Sequence, residues 1–355
     1  MDYPNFLRRS KAGHIGSSAP AAKSIGFQVV LLLVGAAILL TFAGATLTSR
    51  GPFGHGHSSA RPLPSWPESN TLVAQQNHTD ARASLTVRFR PGTSTAVQRR
   101  LLARFGAEET STVGQLGLHI IAVDPSKAQA LLDALRSSRT VSTATPDDVR
   151  QVAGGTSATA IAGQWALKKI GAATAQNVKS KRNVTIAVLD TGVDGSALAG
   201  HLVAGHSALA GSNASTDPNG HGTWMASIAL AADPAAHVMP VQVLNAHGLG
   251  KDSDIIEGLV WAADHHANVI AMSFAGTGFS PDLQKAIDYA WAKGAVVVAA
   301  TGNSGSAAPT YPAGDAKVVG VSATDAHDRL WSDSNYGSDT FLAAPGVDVV
   351  AATSC

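Results

Sequence analysis

The sequence predicts an α/β molecule: a mostly parallel, doubly wound sheet, preceded by a small α+β domain of ferredoxin-like plan and an N-terminal transmembrane helix. Three observations carry that reading. Five near-continuous apolar runs after residue 183 (VTIAVLD, HVMPVQVL, NVIAMSF, AVVVAAT and KVVGVSA) are bounded by turn signals and separated by helical patterns, as strands covered on both faces should be. Residues 82–150 alternate short strand and helix patterns. Ile25–Leu47 is a run of 23 uncharged residues, enough at about 1.5 Å per residue to span about 30 Å of hydrocarbon.

The N-terminal elements follow in order. Residues 1–24 form a basic segment in which Arg8, Arg9, Lys11 and Lys23 precede the apolar run, while only Arg50 follows closely. That bias keeps the N-terminus cytoplasmic and places the rest outside, either membrane-anchored through residues 25–47 or secreted after signal cleavage near Ala43-Gly44-Ala45. Residues 48–81 are rich in Gly, Pro and Ser without apolar periodicity and read as a linker. Its His55 and His57 have no third ligand nearby and are read as solvated side chains.

Residues 82–150 read as a split βαβ plait. Leu85, Val87 and Phe89 alternate as a half-buried strand, Pro91-Gly92 ends it, and Val97, Leu101 and Phe105 recur at helical spacing. LGLHIIAVD supplies a second strand, SKAQALLDALRSS a helix with Leu131, Leu132 and Leu135 on one face and Ser126 as its cap, and TVSTAT a closing strand. In the larger region, Asp252 or Ser253 is positioned to cap a helix carrying Ile256, Leu259, Val260 and Ala263. Ser280, Pro281 and Gly294 frame another.

Composition narrows the function classes. At 355 residues the chain has room for about two domains plus extra segments. Lys plus Arg number 26 against 25 Asp plus Glu, a net charge of +1, so no nucleic-acid partner is indicated. The single cysteine, Cys355, allows neither an intrachain disulfide nor a cysteine zinc cage.

Three polar residues fall at strand ends, where open α/β sheets place their ligands. Asp190 ends VTIAVLD, His221 opens a helix in NGHGTWMASIA, and Asn303 follows AVVVAAT in the turn GNSG. An aspartate fixes the tautomer of a neighbouring histidine and stabilises its imidazolium. A side-chain amide at a strand end can donate to a developing oxyanion. Each residue alone fits a turn or a structural role equally well. Leu189-Asp190-Thr191-Gly192 also fits an aspartic peptidase, but that chemistry needs a second aspartate to share its proton, and no second Asp-Thr-Gly occurs.

Together and in this order, these stretches resemble the subtilisin-like serine peptidases, the subtilases. VTIAVLDTGVD, GHGTWMASIA, VIAMSFAG, VVVAATGNSG, Tyr311-Pro312-Ala313, AAPGVDV and the opening QWALKKIGA all match the family pattern. The resemblance implies a subtilisin-like fold over residues 167–355, with Asp190 orienting the base, His221 as general base and acid, and Asn303 as oxyanion donor. It implies that the backbone of Gly248, Leu249 and Gly250, and that of Ser273, Phe274 and Ala275, flank an extended polypeptide substrate. Residues 82–150 then resemble the family's inhibitory prodomain, an intramolecular partner removed by cleavage within about 146–165, with 151–166 as the processing linker.

Two departures from the family complete the expectation. The family's serine, in a GTSMA-like helix start well beyond the APG motif, is missing, because Thr353-Ser354 lacks the preceding glycine. The 355-residue chain is therefore expected to be a subtilase domain incomplete at its C-terminal end and inactive alone. The alternative is a membrane-anchored pseudopeptidase that binds peptides without cutting them. No cofactor is implied. No metal is expected either, since ADPAAH after the histidine helix is too short to wrap a calcium ion that needs 6 to 8 oxygens.

Overall fold

The computed structural model describes residues 82–153, 165–172, 174, 184–196, 198 and 200–351. The expected membrane span at 25–47, the basic segment, the linker at 48–81 and Thr353–Cys355 lie outside the described residues. Among the described residues, no helix is long and apolar enough to cross a membrane.

The N-terminal unit runs β1 (Ala83–Phe89), α1 (Thr95–Ala103), β2 (Glu108–Val113), β3 (Leu118–Val123), α2 (Pro125–Ser137) and β4 (Val141–Pro146). Its strands form one antiparallel sheet in the order β2-β3-β1-β4. Leu85, Val87, Ile121, Leu131, Leu132 and Leu135 are buried together between sheet and helices. The cap of α2 differs from expectation. Asp124 is the N-cap, accepting the Ser126 amide at 2.9 Å and the Ser126 hydroxyl at 2.6 Å, because Pro125 has no N–H to offer and the first free amide of the helix, at Ser126, lies within reach of the carboxylate two residues before it. The helix expected from Val97, Leu101 and Phe105 is shorter than that spacing implied. α1 buries only Leu102, Val97 is exposed, and Phe105 lies beyond its end.

The larger unit is built on seven parallel strands: β6 (Thr185–Asp190), β7 (His206–Ser207), β8 (His237–Gln242), β10 (Val269–Met272), β12 (Val296–Ala300), β13 (Val318–Thr324) and β14 (Leu342–Pro345). Their order is β14-β13-β12-β10-β6-β8-β7, and every pairing is parallel. All five apolar runs read from the sequence become strands of this sheet. One face packs on α4 (His221–Ala232) through Met225, Ile228 and Ala229. The other packs on α5 (Asp252–Asp264) and α6 (Pro281–Ala292) through Ile256, Leu259, Leu283 and Ile287. α6 starts as its sequence indicated, with the Ser280 hydroxyl accepting the Leu283 amide.

The two units meet across α5 and α6. Val113, Leu118 and Ile120 of the small sheet join the apolar cluster of those helices. Arg88 pairs with Asp282 at 2.8 Å, both nearly fully buried, and the Thr86 hydroxyl donates to the same carboxylate. α5 is capped from outside its own unit. Its N-cap residue Lys251 makes no side-chain cap, and the Ser253 amide donates instead to Asp147 at 2.8 Å. The capping expected of Asp252 does not occur, because its carboxylate is taken by Arg150.

From β4 the chain runs straight into β5 (Val149–Val152), which leaves the small sheet and lies between β9 (Leu249–Lys251) and β11 (Phe274–Ala275). Both pairings are antiparallel.

Candidate active site

The carboxyl ends of the parallel strands set the site. Asp190 is the last residue of β6 and is fully buried. Its oxygens receive the His221 Nδ1–H at 2.8 and 2.9 Å, and one also accepts the Thr191 amide. His221 is the first residue of α4, brought to the strand end by a close helix–strand approach. At Gly222 a Cβ would collide with the Gly192 carbonyl and sit 3.1 Å from the Asp190 Cβ, so only glycine lets helix and turn come this near. Trp224 closes the other side, its ring edge-on to the imidazole with centroids 6.2 Å apart.

The electrostatics favour a charged imidazole. Burial, the largest influence, pulls the His221 pKa down. The charge and hydrogen bond of Asp190, the charge of Asp217 and the nearby Ala153 carbonyl outweigh it and hold the pKa above the ordinary histidine value. The other ring nitrogen, Nε2, is buried with no hydrogen-bond partner. With Nδ1 committed to a carboxylate, Nε2 is the atom free to exchange a proton with a ligand.

Asn303 stands in the loop after β12, one strand beyond β10 from Asp190. All three strands are parallel, so Asp190 and Asn303 lie on one edge of the sheet, at two strand spacings of about 4.8 Å each. The Asn303 Oδ1 is buried without a partner. The amide that braces this loop is a different one. Asn335 accepts from the Ser304 and Ser306 amides through Oδ1 and donates to the Thr301 carbonyl through Nδ2. An asparagine kept merely for its turn would make those bonds itself; at Asn303 the amide oxygen is left unengaged.

The residues expected to flank a substrate do flank a strand. Arg150 lies opposite Gly250, Gln151 opposite Leu249 and Ala275, and Val152 opposite Phe274. The Val152 amide donates to the Gly248 carbonyl at 2.9 Å and the Ala153 amide to the Ser273 carbonyl at 2.8 Å. The sheet edge is thus filled by the chain's own residues 149–153, and its end brings Ala153 to His221.

Two organising residues have no strong sequence signal. Asp217 accepts the Thr191 hydroxyl at 2.8 Å, the Gly220 amide at 2.8 Å, and both the amide and hydroxyl of Thr223. It ties the aspartate turn to the first turn of the histidine helix. Asn335 plays the matching part for the Asn303 loop. Asp217 precedes Pro218-Asn219-Gly220 and Asn335 precedes Tyr336-Gly337, so both read as ordinary turn residues. Among the described residues, no group of three or more His, Cys, Asp or Glu could hold a metal ion.

Comparison with known proteins gives the family. The subtilase family (Peptidase_S8) matches residues 181–355. Thermitase from Thermoactinomyces vulgaris is 39% identical over 195 residues, covering 52% of this chain and 70% of thermitase. Subtilisin DY from Bacillus licheniformis is 38% identical over 180 residues, covering 47% of this chain and 66% of that one. A thermophilic serine proteinase from Bacillus sp. (strain AK1) is 39% identical over 185 residues, of which the match spans 46% of its length. In fold, the chain is similar to the epidermin leader peptide processing serine protease from Staphylococcus aureus, with a TM-score of 0.62 and 21% identity over 75% of this chain and 76% of that one. Fervidolysin from Fervidobacterium pennivorans gives a TM-score of 0.58 and 20% identity over 74% of this chain and 47% of that one. The chain belongs to the subtilase family of serine peptidases.

Proposed function

We propose that this chain is the precursor form of a subtilisin-like serine endopeptidase whose cleft is blocked by its own N-terminal unit. Asp190 orients His221 and stabilises its imidazolium. His221 takes the proton from a serine hydroxyl through Nε2 and returns it to the leaving amine. The Asn303 amide donates to the oxyanion that forms on the attacked carbonyl. The nucleophilic serine comes from sequence C-terminal to residue 355, the place the family's order of residues gives it. The backbones of Gly248–Gly250 and Ser273–Ala275 hold the substrate by strand addition.

Residues 82–150 act as a ferredoxin-like prodomain that chaperones the peptidase fold and inhibits it. Residues 25–47 anchor the precursor or direct its export, leaving the catalytic unit extracytoplasmic. One observation carries the reading: residues 149–153 lie in the cleft as the middle strand of three and end with the Ala153 carbonyl beside a buried Asp–His pair. The likeness to solved structures also supports it. That likeness covers 75% of the chain, whereas the family match takes in only residues 181–355, so it reaches past the peptidase unit.

The test is to read the frame past codon 355, express that longer product, and incubate it with an unstructured polypeptide. Cleavage that a serine-directed fluorophosphonate and the substitution His221→Ala both abolish is the expected result. The 355-residue chain should cleave nothing. Probe-sensitive turnover by the 355-residue chain refutes the placement of the serine, and a longer product that never cleaves refutes the endopeptidase assignment.

A further inference from the structure

The side chain of Arg150 enters a closed acidic pocket in the peptidase unit. It has no exposed surface. Its Nε and Nη2 donate to the two oxygens of Asp252 at 2.7 and 2.9 Å, and Nη1 reaches the Tyr311 carbonyl at 3.4 Å. This is the fork-on-carboxylate geometry that only a guanidinium supplies. The pocket wall is shaped to the same group. At Gly276 a Cβ would stand 2.8 Å from the Arg150 Cδ and 3.0 Å from Nη1, so any larger residue there would push the side chain out.

A second carboxylate shares the pocket. Asp315 is buried, and neither of its oxygens has a hydrogen-bond partner. Its pKa is raised to about 7, first by burial, with the Arg150 charge opposing that rise and Asp252 adding to it. Both acids belong to the peptidase unit, whereas the cation belongs to the segment lying in the cleft. When that segment departs, Asp252 is left as a buried charge without its partner, beside an acid already poor in partners. Such a pocket disfavours an apolar side chain and favours a cation of matching shape.

The position of the pocket gives it a meaning for substrate choice. Counting back from Ala153, whose carbonyl faces His221, Arg150 is the fourth residue. We propose that this subtilase selects polypeptides carrying arginine at the fourth residue before the cleaved bond, with Asp252 as the specificity-determining residue and Asp315 as the second acid of the pocket. The inference rests on reading residues 149–153 as lying in the manner of a substrate. Lysine is a poorer occupant, since a point charge cannot satisfy both Asp252 oxygens in the same fork.

The experiment uses the full chain carrying Arg150→Leu, followed by hydrogen exchange at the Val152 and Ala153 amides. Exchange there should rise at least tenfold, while protection within β1, β3 and β6 stays as in the parent and reports that both units remain folded. Peptide Val-Arg-Gln-Val-Ala, added in millimolar amounts to compete with the tethered segment, should bind this variant at least tenfold more tightly than Val-Leu-Gln-Val-Ala. Adding Asp252→Asn should erase the difference. Unchanged protection in Arg150→Leu, or equal binding of the two peptides, overturns the arginine preference while leaving the peptide cleft in place. Binding of neither peptide to an opened cleft overturns the peptide-cleft reading itself. If Arg150→Leu does not fold, Arg150→Lys, which keeps the charge and loses the fork, carries the same competition.

Discussion

His221 is where a single residue is made chemical by its surroundings. An isolated histidine at a helix start has no fixed charge or tautomer; here the buried Asp190 carboxylate accepts from Nδ1 at 2.8 and 2.9 Å and overrides the desolvation that would keep the ring neutral. The raised imidazole stabilises the fold at low pH: that contribution is fully present below the ordinary histidine value and is lost as pH rises through the raised one. Replacing Asp190 with Asn removes the charge and keeps the shape. Nitrogen NMR of His221 should then show its titration fall below the ordinary value, because burial, the largest influence, is left opposed only by the lesser effects of Asp217 and Ala153, and in the longer product the rate should drop about 10⁴-fold. A titration that stays raised in Asp190→Asn would mean that Asp217 and the Ala153 carbonyl, not Asp190, hold the proton. At this scale Asp190, His221 and Asn303 were legible because each sits at the end of a strong strand pattern or the start of a helix. Asp217 and Asn335 were not, since their work is to accept several backbone amides of sequence-distant loops, and a turn residue looks the same whatever it accepts.

Among the elements, legibility followed burial. The five central strands are apolar on both faces and announce themselves. β2, with sequence EETSTV and only Val113 buried, carries no apolar alternation and exists because its backbone pairs with β3. The two-residue β7 has too little sequence to leave a pattern. Caps were legible where the capping residue is local, as at Ser280, and illegible where it comes from elsewhere. α5 shows the second case, because its first turn is satisfied by Asp147, which also accepts the Ser253 hydroxyl at 2.8 Å. Asp147→Ala should therefore act across the two units: the lost cap lowers stability by about 1 kcal/mol, and exchange at the Ser253 amide should rise together with exchange at Val152. A change confined to Ser253, with β5 as protected as before, would show that the cap stabilises the helix alone and does not help to hold the N-terminal unit.

For the whole molecule, the arrangement of units was legible only as an order along the chain, since nothing in the sequence of residues 82–150 says which face meets α5 and α6. The contact, once formed, concentrates acids. Burial, the leading cause at each, raises Asp147, Asp148 and Asp282 above the ordinary carboxylate range and lifts Asp254 to about 7, with Asp147 adding its repulsion. Arg88 faces Asp282, Arg150 faces Asp148 and Asp252, and Lys251 and Glu257 act on Asp254. Separating the units returns these four carboxyls toward their ordinary values, so at these four the docked state holds more protons between the ordinary carboxylate range and about 7, while Asp315, which loses the opposing Arg150 charge, moves the other way. Docking is then strongest below that range and weakens as pH rises through it, the sign that linkage requires when the docked form binds more protons. Hydrogen exchange at the Val152 and Ala153 amides, corrected for the intrinsic pH dependence of exchange, should show protection falling at least tenfold between about pH 5 and pH 8. Protection that holds or grows over that interval would mean that Arg88, Arg150 and Lys251 neutralise the acids fully, and that the charge of these acids does not govern how firmly the N-terminal unit docks.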